Sequence, residues 1–323
     1  MVRAGIIGLG WWGKNIVNAV QGKTERIHFI RGVSKEPDGV RDFAAKHEFE
    51  LSTELDDVLT DPRVQAVVLA TPHSLHPDQI VQVARAGKPV FCEKPLSLKK
   101  AGAVRAVEAC RKAGVVLGIG TNKRFWPAMP ALKKVVDSGM LGEILHIESH
   151  YSNENSGAHF SAWRDLPTES PGGGMTGAGL HVLDSLVNLM GPLKRVHGQL
   201  IVRKPQPDPY DTVSVILEFR NKVSGFLGTV RASPFYWRVH VFGRNGSAEA
   251  IGENELVVRL PGGKIERSSF EKIDTLRSEF EAFADAVEGR APYPITPDQM
   301  INVVAAFEAI IEALERNATV AVA

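Results

Sequence analysis

The opening segment constrains the fold most. An apolar stretch, residues 2–7 (Val-Arg-Ala-Gly-Ile-Ile), runs directly into Gly8-x-Gly10-x-x-Gly13, and a helical pattern follows over Lys14–Gln21. Glycines at this spacing permit a tight turn and let a pyrophosphate approach backbone N–H groups at a helix N-terminus. The expectation is a nucleotide cofactor seated on Gly8, Gly10 and Gly13. Trp11 and Trp12 fall inside the loop, one ring covering the cofactor or lining the substrate entrance and the other packing in the core.

The pattern after this motif predicts an α/β N-terminal domain. Strands are expected at Ile27–Val33, Val64–Ala70, Pro89–Cys92 and Val115–Ile119. Helices are expected between them at Val40–Lys46, Pro77–Ala86 and Leu98–Lys112. Strand–helix alternation with short connections reads as a doubly wound parallel sheet, a Rossmann fold. After about residue 122 the period changes to two, with strands at Glu143–Tyr151, Thr212–Phe219, Ser224–Arg231 and Arg238–Phe242. Asn245-Gly246 signals a hairpin whose two turn positions need positive φ. A helix over Glu271–Glu288 repeats Ile273, Leu276, Phe280, Phe283 and Val287, and a last helix opens with Thr296, Pro297 and Gln299 as a capping box. The 323 residues therefore divide into a NAD(P)-binding domain, 1–121, and an α+β domain, 122–323, with a mainly antiparallel sheet. The last helix is a candidate to pack back on the first domain.

Composition narrows the partners. Thirty-eight basic and thirty-seven acidic residues leave a net charge of +1, so no overall field draws the chain to nucleic acid or an anionic membrane. Apolar runs such as Val67–Ala70 and Val303–Phe307 are far too short to span a bilayer. No charged leader precedes the first strand, and a cytoplasmic protein is expected. Cys92 and Cys110 lack metal or redox spacing and read as buried free thiols. His146 and His150 share a strand face without a third ligand nearby, so no metal site is expected.

Cofactor choice rests on the end of the second strand. An acidic residue there would bind both ribose hydroxyls and repel a 2′-phosphate. The chain has Ser34-Lys35, followed by Glu36. A hydroxyl beside an ammonium predicts NADP in preference to NAD.

Phe91-Cys92-Glu93-Lys94-Pro95 places a carboxylate, an ammonium and a proline at a strand's carboxyl end, where open α/β sheets bind ligands. Together with Ala86-Gly87-Lys88-Pro89-Val90, Ala70-Thr71-Pro72, His76, Asn122-Lys123-Arg124-Phe125, and Gly172-Gly173-Gly174 leading to Gly179-Leu180-His181-Val182-Leu183-Asp184, this segment resembles the Gfo/Idh/MocA family of sugar and polyol oxidoreductases. The matches run in register from residue 3 to about residue 191.

The resemblance implies hydride transfer between nicotinamide C4 and a carbon bearing a hydroxyl or carbonyl. It implies catalytic roles for Lys94, stabilising charge on the alkoxide with a pKa lowered by burial and the nicotinamide, and for His181, moving the hydroxyl proton. Glu93 orients its loop or Lys94. Thr71 and Pro72 border the nicotinamide ribose, with His76 in the loop beside it. Asn122 and Arg124 either bind substrate or brace the domain interface. Trp163 and Arg164 either hold a ring and a carboxylate or form a packed loop with Asp165. Asp184 either fixes the His181 tautomer or caps its helix. Loops around Tyr151–Pro171 and Phe235–Arg238 shape the pocket.

Most catalytic members carry an aspartate four residues before the histidine, where this chain has Gly177. Either Lys94 and His181 suffice, for a substrate with fewer hydroxyls or its own acid group, or turnover is lost. The expectation is therefore a NAD(P)-dependent dehydrogenase or reductase of a small polyol, sugar or other hydroxy or carbonyl compound, assembled as a homodimer or homotetramer. The alternatives are a cofactor-binding sensor without turnover and a cofactor-assisted glycoside hydrolase or lyase.

Overall fold

A computed structural model describes residues 1–154, 162–205 and 208–323 of the chain, in two units. The first unit comprises Met1–Asn122 and Asp274–Met300, the second Lys123–Ile273 and Ile301–Ala323.

In the first unit, strands and helices alternate as β1 (Val2–Ile7), α1 (Trp11–Val20), β2 (Ile27–Val33), α2 (Arg41–Lys46), β3 (Glu50–Ser52), α3 (Leu55–Leu59), β4 (Ala66–Leu69), α4 (His76–Arg85), β5 (Val90–Glu93), α5 (Lys100–Ala113) and β6 (Leu117–Gly120). The strands pair in parallel in the order β3-β2-β1-β4-β5-β6. Strand order reverses between β1 and β4, which opens a crevice at their carboxyl ends. Every residue of β4, β5 and β6 is buried, as a sheet covered on both faces requires. Lys88 supports this packing from below, its ammonium donating to the carbonyls of Asp61 (3.0 Å) and Val64 (2.6 Å). Cys92 and Cys110 are buried free thiols, and burial pushes the Cys110 pKa up to about 12.

The second unit contains α6 (Ala128–Asp137), β7 (Ile144–Ser152), α7 (Leu180–Met190), β8 (Leu193–Ile201), β9 (Thr212–Phe219), β10 (Ser224–Val230), β11 (Tyr236–Gly243), β12 (Gly246–Ile251), β13 (Glu255–Leu260) and β14 (Lys264–Ser269). After α8 (Thr275–Val287), most of α9 (Pro297–Arg316) and the short β15 (Val320–Ala321) also belong to it. Its nine strands run β14-β13-β12-β11-β7-β10-β9-β8-β15. All neighbours are antiparallel except β10 and β7. Val213, Val215, Leu217 and Phe219 of β9 are buried, while Ile216 of the other face is exposed, so the period-two pattern reads out directly. The outer strand β14, Lys-Ile-Glu-Arg-Ser-Ser, is exposed throughout and charged, which protects a sheet edge from pairing with another chain.

Three expectations need correction. Helix α8 packs with the first unit, not the second: Phe280, Phe283 and Ala284 are fully buried in the core of β1, β2 and β4. Its ring stack places Phe280 4.3 Å and Phe283 5.5 Å from Phe91 between centroids. Ile273 lies outside this helix and is half exposed, because Asp274 caps it by accepting the Arg277 N–H (3.1 Å). The β11–β12 hairpin forms, but Asn245 does not take positive φ. Its N–H and that of Arg244 donate to the carbonyls of Leu141 (2.9 Å) and Glu143 (2.8 Å), so an outside segment sets the turn. The capping box of α9 is present in both directions, Gln299 N–H to Thr296 Oγ1 (3.2 Å) and Thr296 N–H to Gln299 Oε1 (3.1 Å).

Candidate active site

The glycine loop of the first unit is built by three different steric demands. Gly8 has φ +95°, and a Cβ there would lie 2.5 Å from the Ala70 carbonyl oxygen at the end of β4. A Cβ on Gly13 would lie 1.9 Å from the Gly8 carbonyl oxygen. Around Gly10, by contrast, a Cβ would meet no atom within 4 Å. Two glycines thus serve the chain's own packing, and the middle one leaves open space beside the first N–H groups of α1. That is the shape a pyrophosphate needs. Trp12 packs against the core and Trp11 is about half exposed (48%), the two rings 5.4 Å apart.

At the end of β2, Ser34 Oγ accepts the Glu36 N–H (3.2 Å), which shapes the turn and leaves Lys35 and Glu36 exposed. Lys14, in the second turn of α1, reaches across to this side, its ammonium 3.4 Å from the Gly39 carbonyl and 5.6 Å from the Phe43 ring centroid. The sequence reading passed over Lys14, which the local pattern marks only as a helix residue.

The loops after β4 and β5 are fastened together by His76. Its ring is fully buried, with Nδ1 2.7 Å from the Pro95 carbonyl and Nε2 3.0 Å from the Thr71 carbonyl. His76 thereby ties the two loops together through the Pro95 and Thr71 carbonyls. Thr71 donates its hydroxyl to Gln79 Oε1 (2.5 Å). Glu93 is buried against Gly120, where an added Cβ would sit 2.6 Å from its carboxylate, and it accepts the Lys94 backbone N–H (3.3 Å). Its carboxylate thereby holds the loop that carries Lys94, a half-buried residue between buried Glu93 and Pro95.

In the second unit, a glycine turn aims the histidine. Gly172 and Gly173 have φ +67° and +53°, and the Gly174 N–H donates to both oxygens of Asp211 (3.1 and 3.0 Å). Asp211 is fully buried beside Arg231 (3.2 Å), which also donates to the Asp208 carbonyl. Burial pushes the Asp211 carboxyl up despite this guanidinium. Met175–Gly179 then form one π-helical turn, a feature concentrated at functional sites, and α7 begins with Leu180 and His181. The His181 ring meets the Tyr151 ring edge to face at 6.3 Å. Gly177 is exposed, and a Cβ there would meet no atom within 4 Å.

Arg124 and Asp184 find each other. Arg124 Nε and Nη2 lie 2.6 and 3.0 Å from the two Asp184 oxygens, with side chains only 7% and 4% exposed. The pair engages both carboxylate oxygens of Asp184 and ties Arg124 to α7 within the second unit. Asn122 ends the first unit and is half-buried. The Arg164 guanidinium stacks on the Trp163 ring (4.9 Å) and borders a cavity of about 140 Å³ with Asp165, Gly172, Gly173 and Arg231. Residues 155–161 of the expected pocket loop lie outside the described residues. The residue that sequence reasoning missed here is Lys123, whose ammonium lies over the Trp126 and Tyr151 rings. Among the described residues no cluster of His, Cys, Asp and Glu is placed to hold a metal, and no helix is long and apolar enough to cross a membrane.

Replacing Arg124 by methionine strands a buried carboxylate and should destabilise the second unit by about 3–5 kcal/mol. Combining it with Asp184→Leu should recover most of that loss, measured as the shift in urea midpoint. A fall in kcat with an unchanged midpoint would instead put Arg124 on the substrate.

Comparison with known proteins agrees with this geometry. Residues 2–121 match the model of an oxidoreductase family with an NAD-binding Rossmann fold, and residues 129–249 match the GFO/IDH/MocA C-terminal domain. The chain is 28% identical over 270 residues to scyllo-inositol 2-dehydrogenase (NAD(+)) of Bacillus subtilis, covering 78% of this chain and 71% of that protein. It is 26% identical over 259 residues to 2,7-anhydro-N-acetylneuraminate hydratase of Escherichia coli, covering 78% and 67%. A crystal structure from Desulfitobacterium hafniense, provisionally assigned as an NADPH-dependent oxidoreductase, superposes with a TM-score of 0.89 at 25% identity over 99% of this chain and 97% of that one. The glycine loop, the strand order and both domain matches establish the chain as an enzyme of the Gfo/Idh/MocA family of NAD-binding oxidoreductases.

Proposed function

We propose that the protein moves a hydride between nicotinamide C4 and a carbon bearing a hydroxyl or carbonyl on a small polyol, sugar or related compound, with Lys94 and His181 at the reacting oxygen. The observation that carries this reading is the carboxyl edge of the first sheet, shared by the open backbone at Gly10 after β1 and Lys94 after β5. The dinucleotide supplies or accepts the hydride. Gly8, Gly10 and Gly13 hold its pyrophosphate, and Thr71 and Pro72 border its ribose. The Lys94 ammonium, on a loop whose backbone N–H donates to Glu93, meets the negative charge developing on the substrate oxygen. Neutral His181 takes the hydroxyl proton in oxidation and returns it in reduction.

Lys94→Ala should lower kcat by about 10²–10⁴-fold while dinucleotide Kd stays within about threefold. An unchanged kcat would remove Lys94 from the chemistry.

NADP is the preferred cofactor in this reading. The Ser34 and Lys35 turn and the ammonium of Lys14 supply hydroxyl and positive charge on the side where a 2′-phosphate would lie. Kd for NADPH should fall below that for NADH, and a tenfold preference for NADH would reject the assignment. A cytoplasmic setting, where these dinucleotides circulate, suits it.

A homodimer or homotetramer is proposed through the outer face of the second sheet, where Ile216 (63% exposed) and its cross-strand partner Phe226 (37%) present apolar surface. Light scattering should show the oligomer for the natural chain and a smaller species for Ile216→Lys. A monomeric natural chain would end this proposal.

A second reading has two observations in its favour. Position 177 carries no carboxylate, and the Escherichia coli relative is named a hydratase. Cofactor-assisted elimination or hydration would release or consume water or a leaving group with no net change in absorbance at the reduced nicotinamide band.

A further inference from the structure

His181 is the second residue of α7, in the part of a helix whose N–H groups depend on the preceding chain for partners. That chain supplies one by an unusual route. The Leu180 N–H donates to the Met175 carbonyl, five residues back, which closes the π-helical turn Met175–Gly179. The order of the imidazole therefore depends on the order of this turn. The turn starts from Gly172-Gly173-Gly174, and a run of three glycines has the most conformational freedom to lose.

Packing does not hold this run on every side. Gly172 lies so close to α9 that a Cβ would come within 2.5 Å of Ile311 Cδ1. Elsewhere a cavity of about 140 Å³ borders Gly172 and Gly173. Buried charge completes the hold. Asp211, just ahead of β9, accepts the Gly174 N–H on both carboxylate oxygens (3.1 and 3.0 Å). It lies 3.2 Å from the guanidinium of Arg231, just after β10, and its backbone carbonyl accepts the Arg231 N–H (3.0 Å). The approach to the glycine run is tight, since a Cβ on Gly174 would lie 2.5 Å from Asp211 Oδ1. Replacing a buried ion pair by apolar residues of similar volume is often neutral or stabilising, so stability alone does not account for this one.

We infer that Asp211, held by Arg231, is a positioning residue for His181: it pins Gly174, and the glycine run and π-helical turn then keep the imidazole in one orientation. The inference rests on the proposed proton-transfer role of His181. The Asp211 carboxylate, fully buried, acts through the turn and not on a reacting atom.

Two variants of the full-length protein release this hold from opposite sides. Asp211→Leu combined with Arg231→Met removes the ion pair without stranding a charge. Gly174→Ala suits the local backbone (φ −59°) but drives a methyl group into Asp211 Oδ1, so it decides the matter if the first variant does not fold. With isotope-labelled histidine, and the His181 ring signal identified through His181→Gln, both variants should shift and broaden that NMR signal. The signals of His28 and His76, in the first unit, should stay in place. Amide hydrogen exchange over residues 175–183 should rise about tenfold or more while β12 and β13 keep their protection. Activity is read with NADP and the probes myo-inositol and D-glucose. On a probe that is oxidised, kcat should fall about 10²-fold, with KM and dinucleotide Kd within about threefold. In a His181→Gln background the same changes should cost no further activity, because residues that act as one unit are not additive. An unmoved His181 signal, or an equal loss of kcat in the His181→Gln background, would overturn the inference and leave the oxidoreductase reading intact. Full kcat in His181→Gln alone would sink the proton-transfer reading, and the inference with it. If neither probe is oxidised, the ring signal and the amide exchange decide the inference by themselves.

Discussion

The seating of α1 against the Gly8 carbonyl is the constraint on which the first unit depends. The approach is close enough that a single methyl group at position 13 would overlap the Gly8 oxygen. Gly8 in turn crowds the end of β4, so strand, turn, helix and neighbouring strand are locked by backbone contacts alone. Backbone contacts have no rotamers to rearrange, and the loop is therefore rigid where a dinucleotide would rest. The same logic extends along the sheet edge, where His76 joins the Thr71 and Pro95 carbonyls and Glu93 holds the Lys94 backbone. Polar side chains there are spent on fixing loops.

The second unit solves a similar problem with buried charge. Asp211 has lost all contact with water, a cost offset by Arg231 and by the Gly174 N–H. What this network fixes is the turn that feeds the π-helical segment and His181. Arg124 and Asp184 clamp the same helix one turn further on. Two buried ion pairs thus bracket a single imidazole, which limits how far it can wander relative to Tyr151.

How much of this could be seen in the sequence depends on the range of the interaction. The glycine loop, the parallel strands and the α9 cap are set by residues a few positions apart, and pattern alone reveals them. The family motifs singled out Lys94 and His181 as expectations from equally local patterns. Arg124 and Asp184 lie 60 positions apart, and nothing local in either segment announces the other. The contact of His76 with the Pro95 carbonyl, 19 positions away, likewise has no local signal. Asn245-Gly246 followed the hairpin rule, but hydrogen bonds from Arg244 and Asn245 to the carbonyls of Glu143 and Leu141 outweigh the intrinsic turn preference. Lys123 stands in a family motif, yet its two ring contacts, with Trp126 just before α6 and Tyr151 of β7, show only in the fold. The short strands β12–β14 escaped because their sequence alternates weakly beside a hairpin and an edge.

The return of α8 to the first unit has a consequence for how the chain is made. Residues 1–122 emerge from the ribosome without the two phenylalanines that complete their core. Burying each is worth about 3–5 kcal/mol, and a domain's whole margin is only about 5–15 kcal/mol. The nucleotide-binding half therefore stays unfinished until α8 has been synthesised, after the strands β7–β14 of the second unit. Vectorial folding, one half after the other, is denied to this chain by its own topology.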